Sequence, residues 1–353
     1  MGRSPMRTNR CFLQLVVVAF SSMTTGCAFV APEIYRSMDL APGISPDGSL
    51  IAFLSRRATV ENPDGHQHVW LMNADGSQAR CLLPLNGHEG PPTWTASGDA
   101  IWFFSGAMPD EAANRKGWLL VSRHGEILER VPLRASLSGT ALPHPDGVHV
   151  IVIRDKALWL ADRRKGKARR VSTFSEMWSA TPAWSRAVYC AREHDGHWLY
   201  LVEPATGQIR RLCQGVFPHM RADGRAVVFT RRYAGDILSV DCDHEVVRQL
   251  TEFAPGEAGR SPRYSADGSE VVFSFERRPA DAHRSVSGIA TISAGGGAFR
   301  ELTSDVPNAH RGEYFPDGRS VLFVGGPRRN LGLYTVPSDG SSPARRLSPD
   351  YPE

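Results

Sequence analysis

The sequence predicts an all-β fold, a single β-propeller of four-stranded blades, on three observations. First, one unit recurs along the chain: an apolar or aromatic residue, a Ser-Pro-Asp-Gly-like turn, an apolar strand, a second strand, a turn, and an Arg-x-Leu-Thr-like end. Second, the turn glycines stand at 48, 98, 147, 224, 268 and 318, and the long interval of 77 holds two units, one without its glycine. Pro42 to Leu347 is 306 residues, or about 44 for each of seven units, which suits a blade of about 40–45 residues. Third, no segment keeps a 3.6-residue apolar period long enough for a helix. Seven blades is the expected count and six the alternative.

In chain order, residues 1–26 read as a signal peptide. Met6 to Arg10 is a short basic segment, and Cys11 to Phe20 is apolar apart from Gln14. Ten apolar residues are too few to cross a bilayer core of about 30 Å. The run Thr24-Thr25-Gly26-Cys27 resembles a bacterial lipobox, so Cys27 is the expected lipidation site. Ala28 follows it in place of an Asp that favours inner-membrane retention, so the expected location is the periplasm or cell surface, anchored to the outer membrane. Residues 27–41 are a linker, 42–348 the propeller and 349–353 a tail.

The first repeat is the fullest: Pro42-Gly-Ile-Ser-Pro-Asp-Gly48, Leu50 to Leu54, Val69-Trp-Leu-Met72, Asn73-Ala-Asp-Gly76 and Arg80-Cys-Leu-Leu83. The second and third follow from Pro92 and Pro145. The fourth is degenerate, because Pro182-Ala-Trp-Ser185 runs into Ala187 without Asp-Gly. The fifth, sixth and seventh turn at Asp223-Gly224, Asp267-Gly268 and Asp317-Gly318. Glycine supplies the positive φ that such turns require. One small blade cannot cover both of its faces, and radial packing of blades does. The residues before the turns, Ile44, Trp94, Trp184, Met220, Tyr264 and Tyr314, are therefore expected to pack between blades, with Glu33 to Ala41 over the outside or aiding closure.

Lys and Arg total 41 against 37 acids, but without Arg3, Arg7 and Arg10 of the leader the count is 38 against 37. Such a chain lacks the positive field of a nucleic-acid binder. Cys81, Cys190, Cys213 and Cys242 sit in or beside apolar runs and read as buried hydrophobes. Their pairing does not follow from spacing.

Pro42 to Gly48 together with Val69 to Leu82 resembles the TolB-type propeller repeat, a WD-like repeat, and the resemblance extends over about 306 of 353 residues. It implies a bacterial envelope protein. TolB itself carries an α/β domain before its propeller, whereas Ala28 to Ala41 is all that separates Cys27 from the first repeat, so no TolB functional residue carries over. Prolyl-oligopeptidase-like peptidases use the same repeats beside a hydrolase domain with a G-x-S-x-G elbow. Gly340-Ser-Ser342-Pro-Ala344 lacks the second glycine, and His244-Glu-Val-Val-Arg248 fails the zincin pattern at Arg248.

The residue before each bulky inner position should face the axial channel. Across the repeats it is Gly43, Thr93, Leu142, Ala183, His219, Arg263 and Glu313. Three consecutive late blades thus offer His219, Arg263 and Glu313 as a channel-mouth binding site, with His88, Glu89 and His310 on the same side. No catalytic residue, cofactor or metal is expected. The expected function is a non-enzymatic envelope module that binds a protein partner, or a glycan, with no nucleic acid and with the membrane met only through the lipid. Polysaccharide lyases of related seven-bladed architecture use axial histidines and a metal. The alternative is therefore an axial-site lyase or hydrolase acting on oligosaccharides.

Overall fold

The computed structural model describes residues 38–57, 59, 65–107, 116–132, 141–143, 149–154, 157–162, 167–170, 177–180, 185–203, 206, 208–278, 285–303, 305–328 and 330–349. The leader, Cys27, the linker up to residue 37 and residues 350–353 lie outside them. Among the described residues the regular structure is entirely β, with 28 strands in seven four-stranded sheets, one to each repeat.

Each sheet is an antiparallel meander of consecutive strands, the first innermost. The first holds β1 (Asp39–Ile44), β2 (Leu50–Ser55), β3 (His68–Asn73) and β4 (Arg80–Cys81). The second holds β5 (Thr93–Trp94), β6 (Ala100–Ser105), β7 (Gly117–Ser122) and β8 (Ile127–Pro132). The third holds β9 (Ala141–Pro143), β10 (His149–Arg154), β11 (Ala157–Asp162) and β12 (Lys167–Arg170). The fourth holds β13 (Met177–Ala180), β14 (Ala187–Glu193), β15 (Gly196–Glu203) and β16 (Gln208–Gln214). The fifth holds β17 (Val216–Met220), β18 (Ala226–Thr230), β19 (Ile237–Asp241) and β20 (Val247–Gln249). The sixth holds β21 (Glu257–Tyr264), β22 (Glu270–Arg277), β23 (Val286–Ser293) and β24 (Arg300–Glu301). The seventh holds β25 (His310–Tyr314), β26 (Ser320–Gly325), β27 (Gly332–Pro337) and β28 (Arg345–Arg346).

The middle of the second strand is apolar in the first, second, fifth, sixth and seventh sheets because both of its faces are covered. On β2, Ile51 and Phe53 join Leu322, Val324 and Leu333 of the seventh sheet, whereas Ala52 and Leu54 join Ile101, Phe103 and Leu119 of the second. Alternation with period two therefore selects which neighbour a side chain meets rather than whether it is buried. Phe53, Phe103, Phe229, Phe273 and Phe323 take the same place in five sheets and are essentially inaccessible. Each contributes about 1.5–3 kcal/mol of burial. Of the expected packing residues, Met220, Tyr264 and Tyr314 are buried, Ile44 and Trp94 are partly buried, and Trp184 lies outside the described residues.

The Asp-Gly turn is held by its own side chains. Asp47 Oδ1 accepts the Ser49 N–H at 3.0 Å and the Ser45 hydroxyl at 2.5 Å, and Gly48 sits at φ 73°. The Ser45 hydroxyl, followed by the Ser49 N–H and hydroxyl, pulls the Asp47 carboxyl down to about 2.

Each residue of the Arg-x-Leu-Thr end has its own task. The arginine donates to a backbone carbonyl in the outer turn of the next sheet: Arg80 to Arg123, Arg210 to Cys242, Arg300 to Ser338 at 2.7 Å and Arg345 to Asp75 at 3.1 Å. The leucine presses its backbone against the glycine of that turn. A Cβ on Gly76 would stand 2.5 Å from the Leu347 oxygen, and Gly76 has φ 89°. The hydroxyl at the last position accepts a buried N–H of the third strand: Thr251 from Ile237, Thr303 from Ile289 and Ser348 from Leu333, each at 2.9 Å.

The ring closes without sharing a strand, since the first and last sheets are each built from one continuous segment. Met38 bridges Leu331 in parallel, and the Asp39 N–H bonds the Leu331 oxygen at 3.1 Å. Arg57 Nη2 reaches Asp39 Oδ2 at 2.6 Å and the Pro349 oxygen at 2.8 Å. The inner strand begins at Asp39, three residues ahead of Pro42, so residues 39–41 belong to β1 rather than lying over the outside. Cys190 and Cys242 are buried and pack in the core between the fourth and fifth sheets.

Candidate functional site

The inner strands set the geometry of the channel wall. Gly43, Thr93, Leu142, His219, Arg263 and Glu313 stand opposite Ala52, Trp102, Ile151, Val228, Val272 and Leu322, which is one register position in six sheets. The fourth sheet departs from expectation. There Ser179 pairs with Val188 at this level, and Ala183 follows the end of β13 and lies outside the described residues. In this repeat, which lacks Asp-Gly, β13 ends at Ala180 and β14 begins at Ala187.

Four inner strands carry a bulge just before this position, each with a non-glycine residue in the left-handed region: Ala41 (φ 49°), Phe217 (53°), Ser261 (48°) and Arg311 (59°). Each such residue costs about 1–3 kcal/mol. The bulge kinks the strand and re-aims the side chains beside it. Arg311 is the residue that sequence reasoning missed. Its N–H donates to Ser274 Oγ at 2.9 Å. Burial, with the charge of Arg263, holds its pKa below the usual arginine range.

On the fifth to seventh sheets the polar residues form an ordered set. Arg263 Nη1 meets Glu313 Oε2 at 3.1 Å across the gap between β21 and β25. Both side chains are in part open to solvent, so the pair contributes at most about 1 kcal/mol. Beside it, His219 Nδ1 accepts the Tyr264 N–H at 3.2 Å. An accepting Nδ1 leaves the proton on Nε2. Close packing of protein around the ring, with a smaller effect of Arg263, lowers the His219 pKa to about 3. His219 is therefore a neutral donor at physiological pH.

His310 sits three residues before Glu313, toward the other end of β25, and donates from Nδ1 to the Asn308 carbonyl at 2.6 Å. Burial lowers its pKa in spite of that carbonyl. His88 and Glu89 have a different neighbourhood, in the linker between the first two sheets. His88 Nδ1 accepts the Gln67 N–H at 3.0 Å, and its ring lies 5.1 Å from that of His66. Glu89 is buried, with Oε2 on the Val69 N–H at 2.5 Å and Oε1 at 3.3 Å from His68 Nδ1. In the first repeat Leu83 stands where the fifth, sixth and seventh repeats carry Thr251, Thr303 and Ser348, and the Glu89 carboxylate takes the place of that hydroxyl. Burial raises its pKa against the opposing pull of His68 and the Val69 N–H. Glu89 is thus a strand cap, not a channel residue.

No protein-family model matches the chain, and no curated protein matches it. Among solved structures it is similar to TolB from Acinetobacter baumannii, at 18% identity over 84% of this chain and 62% of that one, with a TM-score of 0.50. It is also similar to oligogalacturonate lyase from Vibrio parahaemolyticus, at 14% identity over 86% and 89%, TM-score 0.61. A third likeness is to puromycin hydrolase, at 13% identity over 92% and 56%, TM-score 0.65. This chain spans less than two thirds of that TolB and of the hydrolase. An oligogalacturonate lyase is known in complex with manganese. Among the described residues here, no group of three or more His, Cys, Asp or Glu is arranged to hold a metal. At these identities the likeness is one of architecture, and the chain has a TolB-like β-propeller fold.

Proposed function

We propose that this protein is a non-enzymatic binding module of the cell envelope that holds a protein partner at its propeller channel. Three things support the reading: the TolB-like fold, the leader with its lipobox at Cys27, and the polar wall of the late blades. The observation that carries it is the Arg263–Glu313 pair. Two charged groups from neighbouring inner strands meet at 3.1 Å in partial contact with solvent, where an incoming chain can reach them. Lipid at Cys27 would hold the module on the outer membrane, facing the periplasm or cell surface.

The test is a crosslinking pull-down from the native envelope with the wild-type protein and with the triple variant His219→Ala, Arg263→Ala, Glu313→Ala. A partner held by the wild type and lost by the variant supports the reading. A partner held equally by both moves the site to the loops or outer edges. Turnover of oligosaccharides by the purified protein, with no partner retained, overturns the reading in favour of an axial-site enzyme. Cys27→Ser is expected to release the protein from the membrane fraction, and equal retention of both forms would refute the anchor.

A further inference from the structure

We propose that a cleft between the first and second sheets, away from the channel, binds a small phosphomonoester, with Arg80, Arg123 and His124 on its phosphate. The site is separate from the wall at Arg263 and Glu313, so it stands or falls independently of the binding-module reading.

The cleft has a volume of about 440 Å³ and opens on the side of the Asp-Gly turns. Ser49, Asn73, Gln78, Arg80, Arg123 and His124 supply its polar lining, and Leu50 is on its apolar side. Among the described residues, no acid lines it.

The junction that forms it recurs round the ring. Arg80 donates to the Arg123 oxygen as Arg210 does to Cys242, Arg300 to Ser338 and Arg345 to Asp75. At the other three places the arginine has an acid beside it. Arg210 pairs with Glu245, and Arg300 stands 3.8 Å from Glu270. The Asp75 carboxyl is lowered by Ser77 and, to a smaller degree, by Arg345. At the first junction these acids are replaced. Leu50 opens β2 where Glu270 opens β22, each two residues after the turn glycine. The backbone fixes a second equivalence. The N–H groups of Ala74, Arg123, Cys242 and Ser338 bond the oxygens of Ser49, Asp99, Arg225 and Arg319, each the residue after the turn glycine of its own sheet. The next position is therefore Asp75, Asp243 and Asp339 in the first, fifth and seventh sheets, but His124 in the second.

The donors gathered here are uncommitted. Among the described residues, the side chains of Arg123 and His124 make no hydrogen bond or ion pair, and Arg80 makes its one hydrogen bond to the Arg123 oxygen. Asp47 and Asp99 feel the charge of Arg123. Hydroxyls of Ser45 and Ser49 hold the first within its own turn, and those of Ser97 and Thr95 hold the second. Donors thus reach the cleft from both of its walls. One arginine can satisfy the two oxygens of a carboxylate, whereas the oxygens of a phosphate can meet both walls at once. The volume falls in the range of small-molecule sites, which leaves room for the esterified group beside Asn73, Gln78 and Leu50.

β1 runs from Asp39, opposite Ser55, to Ile44, opposite Ile51, so Met38 stands at the end of the sheet away from Ser49. On a chain anchored ahead of Met38, a cleft at the far end suits a soluble ester rather than a membrane headgroup.

The test is a calorimetric titration of the full chain with glucose 6-phosphate, and with glucose as control. It is run at about 0.15 M salt, where distant exposed charges are screened. The phosphate ester should bind and glucose should not. Arg123→Gln should weaken binding about tenfold, as expected for one charge-assisted hydrogen bond. His124→Asp and Leu50→Glu, which restore the acids of the other junctions, should each weaken it by at least as much. Circular dichroism melts confirm that each variant is folded. No binding at millimolar ester, or equal binding by the wild type and both acid-restoring variants, overturns the inference. So does binding of phosphatidic acid vesicles with this variant pattern while the soluble ester does not bind.

Discussion

Arg345 donates a hydrogen bond to the carbonyl oxygen of Asp75, 270 positions earlier in the chain, at 3.1 Å. The same bond joins Arg300 to Ser338 inside the ring. The closing junction thus reuses a contact that also links consecutive repeats. Arg345→Ala should destabilise the protein by about 1 kcal/mol, because the bond is charge-assisted but exposed. Gly76→Ala should cost more, about 2–4 kcal/mol, because the added methyl meets the Leu347 oxygen and φ is positive. Thermal melts check both, and a Gly76→Ala protein as stable as wild type would refute the close approach.

Glu89→Ala should leave the Val69 N–H and His68 buried without their acceptor. The expected loss is about 1–3 kcal/mol, or several degrees in Tm for a chain of this size. Adding Leu83→Thr should restore part of it by supplying the hydroxyl that later repeats use. A double variant no more stable than Glu89→Ala alone would show that the two positions are not equivalent.

His219 fixes the sign of one pH effect. Its pKa falls to about 3 in the fold, below the ordinary 6.5. Between those values the unfolded chain binds a proton that the native one does not, so this group's stability contribution is complete above about pH 6.5 and is lost as pH falls. His219→Asn keeps an acceptor for the Tyr264 N–H and removes the titration. Its melting temperature should therefore drop less than that of wild type between pH 7 and pH 5, by the equivalent of about 2 kcal/mol. Parallel pH dependence of the two proteins would exclude His219 as the titrating group.

Phe273→Ala should cost about 3–5 kcal/mol, because the ring is fully buried between the fifth and sixth sheets. Val286→Ala, at an exposed position of the same sheet, should change stability by less than about 0.5 kcal/mol. Chemical denaturation of both separates ring packing from strand propensity.

How much of this was legible follows from what each signal measures. Wherever a Pro or an Asp-Gly turn marks the corner, counting back from it reaches the right channel position, as at Thr93, Arg263 and Glu313. In the fourth repeat the marker is missing, and counting from Trp184 lands on Ala183 where the register has Ser179. Arg311 could not be read in advance. Its place depends on a left-handed backbone kink, and the residues at that kink, Ala41, Phe217, Ser261 and Arg311, share no side-chain property. Glu89 was misread for a subtler reason. The clue was not Glu89 itself but Leu83, an apolar residue where the third, fifth, sixth and seventh repeats carry a hydroxyl, and no rule of periodicity says which neighbour will fill that need.

The way the ring closes has a consequence for how the chain can be rearranged. Each sheet is one uninterrupted stretch, and the junction between first and last sheets is built from the same arginine, leucine and glycine contacts as those inside the ring. Where the polypeptide begins is then topologically arbitrary. Tying residue 349 to residue 38 with a short flexible segment and reopening the chain between Thr251 and Glu257 would produce a circular permutant with every sheet intact. The order in which the sheets are synthesised is then separable from the ring they make.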